Sequence, residues 1–404
     1  MVKNHPDKIV NIKTKISELV DDMVLVNCRP IFSEKFTSNY FKKLAAELSK
    51  NKTYQFDYIS AMFACLDSIT YYSRHIIDLS QQEIYYKELA QKDKDELLDF
   101  VCNYLMSIPF SYDIKIPLNN IPLPPFSLGR RLIIEQDVKA LPSIGFALSG
   151  DSKFVNTNIC VPTTGYYNIY EKDYFMKEAT IVLSVLIYSL RERGLIKRNY
   201  QKSARYTSAW SPIFNKKHQV SEYSAKIYNK DYPNSIDDYS FPIPVCMYLE
   251  ELGVTDEISE DEVKRLALEV LHETTKLLDD STDEAQNIVS AIDWCIQSEI
   301  NTDKTMSFLQ TCMGLEALLG DNNNDAGLTL TLTDRCAYLI GRGMVERAEI
   351  KKEFKAIYQL RSKLVHGRMN KISTQDRELC RKAIRYLKRA ISKELSYLME
   401  NNER

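Results

Sequence analysis

The chain has 404 residues, 44% of them hydrophobic and 27% charged, with a formal net charge of −2. This is enough for two or three domains with a well-buried core, and too close to neutral for a polycation that coats nucleic acid, so any nucleic-acid surface must be a local basic patch. Nine Cys with no C-x-x-C pair, and only five His, argue against a zinc site and a disulfide framework and fit a reducing cytosol.

No cofactor or metal is therefore expected, and the location expected is cytoplasmic. Met1 to Pro6 leads into a mixed-charge segment and not a secretory leader. The longest apolar run, Ala179 to Leu190, is too short to span a bilayer and reads as a buried helix, so no membrane partner is expected.

In chain order, residues 1–108 read as a helical region with few breakers, and Ser60 to Asp78 looks like core. Residues 109–250 change grammar. Six prolines fall between Pro109 and Pro142. Ile114, Ile116 and Leu118 alternate with polar or small residues, as do Leu132 and Ile134, so short strands are expected. Helical pattern returns from Asp173 to Arg193 and is stopped by Gly194.

A polar stretch follows, in which Arg191, Arg193, Lys197, Arg198, Lys202 and Arg205 are interleaved with Tyr200, Tyr206 and Trp210. It reads either as a solvated loop or as a surface for single-stranded RNA. Pro212 to Pro244 reads as irregular connection.

Residues 259–404 are almost wholly helical. Ser259 and Glu262 form a capping box. Helices are expected over Asp283 to Glu299 and Asp303 to Leu319. The second of these carries Phe308, Cys312, Leu315 and Leu319 on one stripe. An Asn-rich loop spans Gly320 to Gly327, and Thr333 is expected to cap a short helix ending near Gly341. Glu346 to His366 forms the next helix, closed by Gly367. Ser373 with Asp376 starts the last, which runs to about Met399. The fold class expected is α+β and predominantly α: a helical N-terminal region, a β-rich insert and a C-terminal helical bundle.

One position breaks the pattern. The apolar stripe of the Glu346 to His366 helix is Ile350, Phe354, Ile357, Leu364 and Val365, and Arg361 falls in its middle. A guanidinium there must be paired or must face an interface or cleft, because burying it bare is costly. His366 follows five residues later, about 140° around an ideal helix. Gly367 suits the left-handed position just past a helix end, which would put His366 at the frayed terminus. Taken alone, this spacing is also met by an Arg in an interhelix ion pair and a His serving a helix end.

The surroundings carry more. Phe308 to Leu319 reads F-L-Q-T-C-M-G-L-E-A-L-L, Thr333 to Ile340 reads T-D-R-C-A-Y-L-I, and Tyr358 to Gly367 reads Y-Q-L-R-S-K-L-V-H-G. These blocks, in this order and in one helical region, resemble the Apea-like branch of the HEPN superfamily, whose signature is R-x4-H. The resemblance covers roughly Asp283 to Leu398.

It implies a C-terminal HEPN helical bundle and a metal-independent endoribonuclease whose site forms where two copies meet. Arg361 would hold the scissile phosphate through its planar fork and stabilise charge on phosphorus. His366 would be general base or acid. Ser362 would orient the phosphate or only cap locally, with Lys363 as further support. Glu316 and Arg335, from the first two blocks, would be structural partners in a buried ion pair.

On the last helix, Arg377, Arg381, Lys382, Arg385, Lys388, Arg389 and Lys393 share one side. Arg381, Arg385 and Lys388 are the candidate RNA-binding residues, and a plain solvated face is the competing reading. The partners implied are RNA such as tRNA, a second copy of the chain and a phage-derived trigger or regulatory partner, as in an abortive-infection or toxin effector. The alternatives are a non-catalytic HEPN scaffold or sensor, and an unrelated helical adaptor in which both residues are structural.

Overall fold

The computed structural model describes residues 6–50, 54–76, 83–139, 154–199, 223–255, 260–320 and 328–402. The fold is mixed α and β and predominantly helical. Among the described residues no helix is long and apolar enough to cross a membrane. The chain groups into two compact units. One contains Met1–Tyr112, Thr164–Phe175 and Asn229–Tyr232. The other contains Asp113–Thr163, Met176–Tyr228 and Pro233–Arg404.

The first unit holds helices α1 (Pro6–Val20), α2 (Ser38–Ser49), α3 (Tyr58–His75) and α4 (Gln91–Ser107). Their apolar faces bury Ile12, Ile16, Leu44, Leu48, Ile69 and Leu97. Asp57 caps α3 by accepting from the amides of Ile59 and Ser60 at 2.6 and 2.8 Å. A small antiparallel sheet joins β1 (Val24–Val26), β2 (Arg29–Ile31) and β3 (Glu83–Tyr85) in the order β2-β1-β3. A later return of the chain inserts Tyr232 among Tyr71, Phe100, Tyr104 and Phe110, at ring-centroid distances of 5.1, 6.1, 4.6 and 5.1 Å.

The second unit is built on a five-stranded sheet of β4 (Phe110–Leu118), β5 (Ile133–Lys139), β6 (Phe154–Gly165), β8 (Ser224–Asn229) and β9 (Ile236–Ser240), ordered β5-β6-β4-β8-β9. The alternation at Ile114, Ile116 and Leu118 is a buried strand face, as the sequence predicts. Part of the expected irregular connection is instead the antiparallel pair β8 and β9. Helix α5 (Lys172–Glu192) is the apolar run, with nearly every residue from Val182 to Leu190 buried. It ends at Gly194, whose φ is +71°.

Of the described basic residues, Arg191 at the end of α5 and Arg198 are drawn into part-buried contacts, while Arg193 and Lys197 are exposed. Arg191 is bonded to Glu299 and, at 2.9 Å, to Tyr248 Oη. Arg193 pairs with Glu273. Arg198 lies on β7 (Ile196–Arg198), which pairs with β10 (Leu252–Val254), and binds Glu251 at 2.5 Å and the Glu299 carbonyl at 3.1 Å. Carboxylates brought in from distant helices satisfy these cations. Tyr200, Lys202, Arg205, Tyr206 and Trp210 lie outside the described residues.

The rest of the second unit is helical: α6 (Ile243–Glu251), α7 (Glu260–Asp279), α8 (Asp283–Ile300), α9 (Lys304–Leu319), α10 (Leu328–Ile340), α11 (Met344–Val365) and α12 (Arg377–Asn402). Ile288, Ile292 and Ile296 of α8, Phe308, Cys312 and Leu315 of α9, and Leu387 and Ile391 of α12 are core. Gly314 lets α12 approach α9 closely, since a Cβ there would lie 2.8 Å from Leu387 Cδ2. Ser373 and Asp376 exchange amide-to-side-chain bonds at 3.3 Å ahead of α12, the expected capping box. Ser259 lies outside the described residues, as do residues 321–327 of the Asn-rich loop.

Thr333 does not cap a helix. It sits inside α10, fully buried, with its hydroxyl donating to the Thr329 carbonyl at 2.5 Å. The pattern started earlier than expected because Leu328 and the threonines after it continue the helix. Among the described residues no cysteine forms a disulfide, and eight of the nine are buried.

Candidate functional site

Helix α11 carries the Arg361 site. Its buried residues are Ile350, Phe354, Ile357, Tyr358, Leu360 and Leu364. Val365, expected in this stripe, is 51% exposed because the helix ends there. Arg361 sits in the stripe with its side chain 31% exposed, and it is paired. Its Nη2 donates to Glu316 Oε2 at 3.0 Å, while Nε lies 2.9 Å from Oε1 without the alignment of a hydrogen bond. Glu316 belongs to the last turn of α9, and its side chain is 25% exposed. The pattern-breaking guanidinium thus has the partner its position demands.

This overturns the expected Glu316–Arg335 ion pair. Arg335 Nη1 instead donates to the carbonyls of Leu319 and Gly320 at 2.9 and 3.0 Å. Those are carbonyls at the C-terminal end of α9, where a cation and a donor are both favoured. Both residues serve the packing of α9, but through different partners.

A third side chain meets the pair. Tyr358 lies one turn before Arg361 and is 6% exposed, and its ring stacks on Phe354 with centroids 4.9 Å apart. Its hydroxyl is buried and, among the described residues, has no hydrogen-bond partner. Burial, and then the Glu316 charge, hold this phenol well above its ordinary value. Cys312, one turn before Glu316, is fully buried. Its thiol is likewise pushed up by burial first and by Glu316 second. No sequence rule singled out Tyr358, because an aromatic on the buried face reads as core.

His366 is exposed at the end of α11 with φ −87° and ψ 12°. Gly367 follows at φ +68°, the left-handed residue the sequence predicts. The amide of Gly367 donates to the Leu364 carbonyl at 3.2 Å, and that of Arg368 to the Lys363 carbonyl at 2.9 Å. These two bonds make a complete Schellman closure. Ser362 is half-buried and accepts the His366 amide through its carbonyl at 3.0 Å, while the Lys363 side chain is exposed. Among the described residues the imidazole of His366 makes no hydrogen bond, to Arg361 or to any other group. A single chain therefore presents a held Arg and an unengaged His, and does not bring the two together.

The three candidates on α12 have different surroundings. Arg381 is exposed and pairs with Glu378 of its own helix at 3.1 Å. Lys388 reaches Glu299 at 2.5 Å, so it belongs partly to the core network with Arg191. There burial would raise the Glu299 carboxyl, but the Arg191 and Lys388 charges outweigh it and hold the group below its ordinary value. Arg385 is exposed, and among the described residues it has no ion-pair partner. Among the described residues no three His, Cys, Asp or Glu side chains converge as metal ligands.

Comparison with family models, with characterised proteins and with solved structures gives no match to this chain.

Proposed function

We propose that the chain is a HEPN-type endoribonuclease that cleaves cellular RNA, such as tRNA, at a composite site built by two copies. The observation that carries this reading is the placement of Arg361. It stands partly exposed within an apolar helix face, is steadied by Glu316 from the first HEPN-like block, and lies five residues before the unengaged His366. The three sequence blocks fall on α9, α10 and α11 in that order.

In this reading, His366 takes the proton of a ribose 2′-hydroxyl, whose oxygen attacks the adjacent phosphorus. The P–O5′ bond breaks, a protonated imidazole supplies the leaving oxygen with its proton, and a 2′,3′-cyclic phosphate remains. Arg361 neutralises the phosphoryl oxygens, with Ser362 and Lys363 beside it. A phage-derived trigger or regulatory partner restrains or releases the activity, as in an abortive-infection or toxin effector.

A second reading is favoured by the absence of any Arg361–His366 contact within one chain. Here the module is a non-catalytic HEPN scaffold or sensor, and the Arg361–Glu316 pair only locks α11 to α9.

Wild-type and His366→Ala chains incubated with total RNA separate the two. The enzyme reading expects cleavage that persists in EDTA, yields cyclic-phosphate ends and is lost in the variant. It also expects an RNA with a 2′-deoxy substitution at the cleavage point to be bound but left intact. Cleavage that needs a divalent ion, or that leaves 3′-hydroxyl ends, overturns it.

A further inference from the structure

The second unit contains a pocket of about 700 Å³, framed by the C-terminal end of α10, the N-terminal end of α11 and the second half of α12. That is within the ~300–1,000 Å³ of small-ligand sites, though such sites are mostly apolar and this one is not. Its cations are Arg342, Arg347, Arg385, Lys388, Arg389 and Lys393, against a single carboxylate in the lining, Glu192. On α12 they fall at 385, 388, 389 and 393, the spacing of one helix face. Arg361 lies fourteen residues beyond Arg347 on α11, about 21 Å along the helix, so this is a separate place.

The packing of the fold accounts for three of these cations. Arg389 donates to the Ile340 carbonyl at 2.6 Å and to Glu346 at 2.8 Å. Arg347 donates to the Gly341 carbonyl at 3.2 Å, and its guanidinium lies 4.9 Å from the centroid of the Tyr338 ring. Both close the end of α10, where carbonyls lack partners. Lys388 is held by Glu299.

Arg342, Arg385 and Lys393 remain. All three are exposed, and among the described residues none has a side-chain hydrogen bond or ion pair. Glu346 and Glu353, both outside the lining, attract Arg342 and Arg385 without bonding to their side chains, so within the pocket the three cations converge with Glu192 as the one lining carboxylate, and an anion would relieve their mutual repulsion. Two aromatic residues at the same pocket are also exposed: Tyr338 is 61% exposed, with Arg347 and Lys351 already over its ring at 4.9 and 5.0 Å, and Tyr397 is 47% exposed and, among the described residues, has no cation over its ring. Cations beside open aromatic faces suit a phosphate attached to a stackable base.

We propose that this pocket binds a nucleotide, its phosphates held by Arg342, Arg385 and Lys393 and its base against Tyr338 or Tyr397. The same chemistry is offered by a free nucleotide and by a nucleotide within single-stranded RNA. Binding is read without cleavage, so this site stands or falls independently of Arg361 and His366.

The test is fluorescence anisotropy on the full chain at about 150 mM salt, where weak surface charge effects are screened. The probes are a labelled ATP and a labelled single-stranded pentaribonucleotide, with unlabelled pyrophosphate as competitor. The double variant Arg385→Glu/Lys393→Glu is expected to weaken binding at least about tenfold. Lys304→Glu, exposed at the start of α9 and outside the pocket, should leave it unchanged. Tyr397→Ala combined with Tyr338→Ala should weaken the nucleotide probes and leave pyrophosphate competition intact. Tighter binding of ATP identifies a free nucleotide as the ligand, and tighter binding of the oligonucleotide identifies RNA. Failure of both probes to bind, or binding indifferent to the Arg385/Lys393 reversal, overturns the site. Binding indifferent to loss of both tyrosines overturns the nucleotide assignment.

Discussion

Arg361 and Asp293 show how single side chains settle their charge in this fold. The Arg361–Glu316 pair is partly open to water, so its direct effect on stability is small, about 1 kcal/mol or less. Its neighbour Tyr358 is a sharper probe. A buried hydroxyl without a partner costs about 1–3 kcal/mol, so Tyr358→Phe should be neutral or stabilising in urea melts. A clear loss of stability would mean that the hydroxyl has a partner in the working protein.

Asp293 is buried and accepts from Ser184 at 2.9 Å and from Gln297 at 2.6 Å. Burial, against those donors, still raises its carboxyl above the ordinary value. A carboxyl raised by folding takes up protons on folding. Stability therefore falls as pH climbs from the unfolded value through the folded one, and the loss persists at neutral pH. Asn cannot ionise and keeps the acceptor for Ser184. Asp293→Asn should melt higher than wild type at pH 7, with the gap closing as pH falls toward 4. A gap that does not shrink on acidification would refute the assignment. Glu299 has the opposite sign: its carboxyl is lowered, so its contribution is present above the unfolded value and is lost on acidification.

Among the elements, the Schellman closure of α11 links backbone geometry to the proposed chemistry. Gly367 has nothing within 4 Å of where a Cβ would stand, so Gly367→Ala tests conformation and not crowding. At φ +68° an alanine costs about 1 kcal/mol. The variant should lose about that much stability, and cleavage should fall further because His366 is the residue next to the altered closure. Urea melts alongside cleavage rates test this. Unchanged cleavage would separate the closure from the site.

Elements with a long unbroken apolar period were legible in the sequence: α5, α8, α9, α11 and α12, and the alternating β4. The sheet of β1, β2 and β3 was not, because strands of three residues leave no alternation to read. Its turn at Asn27 and Cys28 has positive φ at both residues, 50° and 64°, without the glycine that would announce it. The need of Arg361 for a partner was legible. The choice of Glu316 was not, because it depends on how α9 meets α11 in space.

At the scale of the whole molecule, the proposed enzyme needs two chains. A two-fold contact through α11 would bring Arg361 and His366 from both copies to one cleft. An Arg361→Ala chain mixed with a His366→Ala chain should regain part of the cleavage that each lacks alone. Light scattering during turnover is the companion measurement, and cleavage by a strict monomer would defeat the composite site.

The discontinuous make-up of the first unit also bears on synthesis. Its aromatic cluster is completed by Tyr232, and its remaining pieces are Thr164–Phe175 and Asn229–Tyr232. A nascent chain emerging N-terminus first can form α1 to α4 early, yet it cannot close this unit until Tyr232 has left the ribosome. Until then Phe100, Tyr104 and Phe110 stay uncovered on the side that Tyr232 fills. The first-made portion is therefore the one that waits, and a ribosome stalled before residue 232 would hold this unit open.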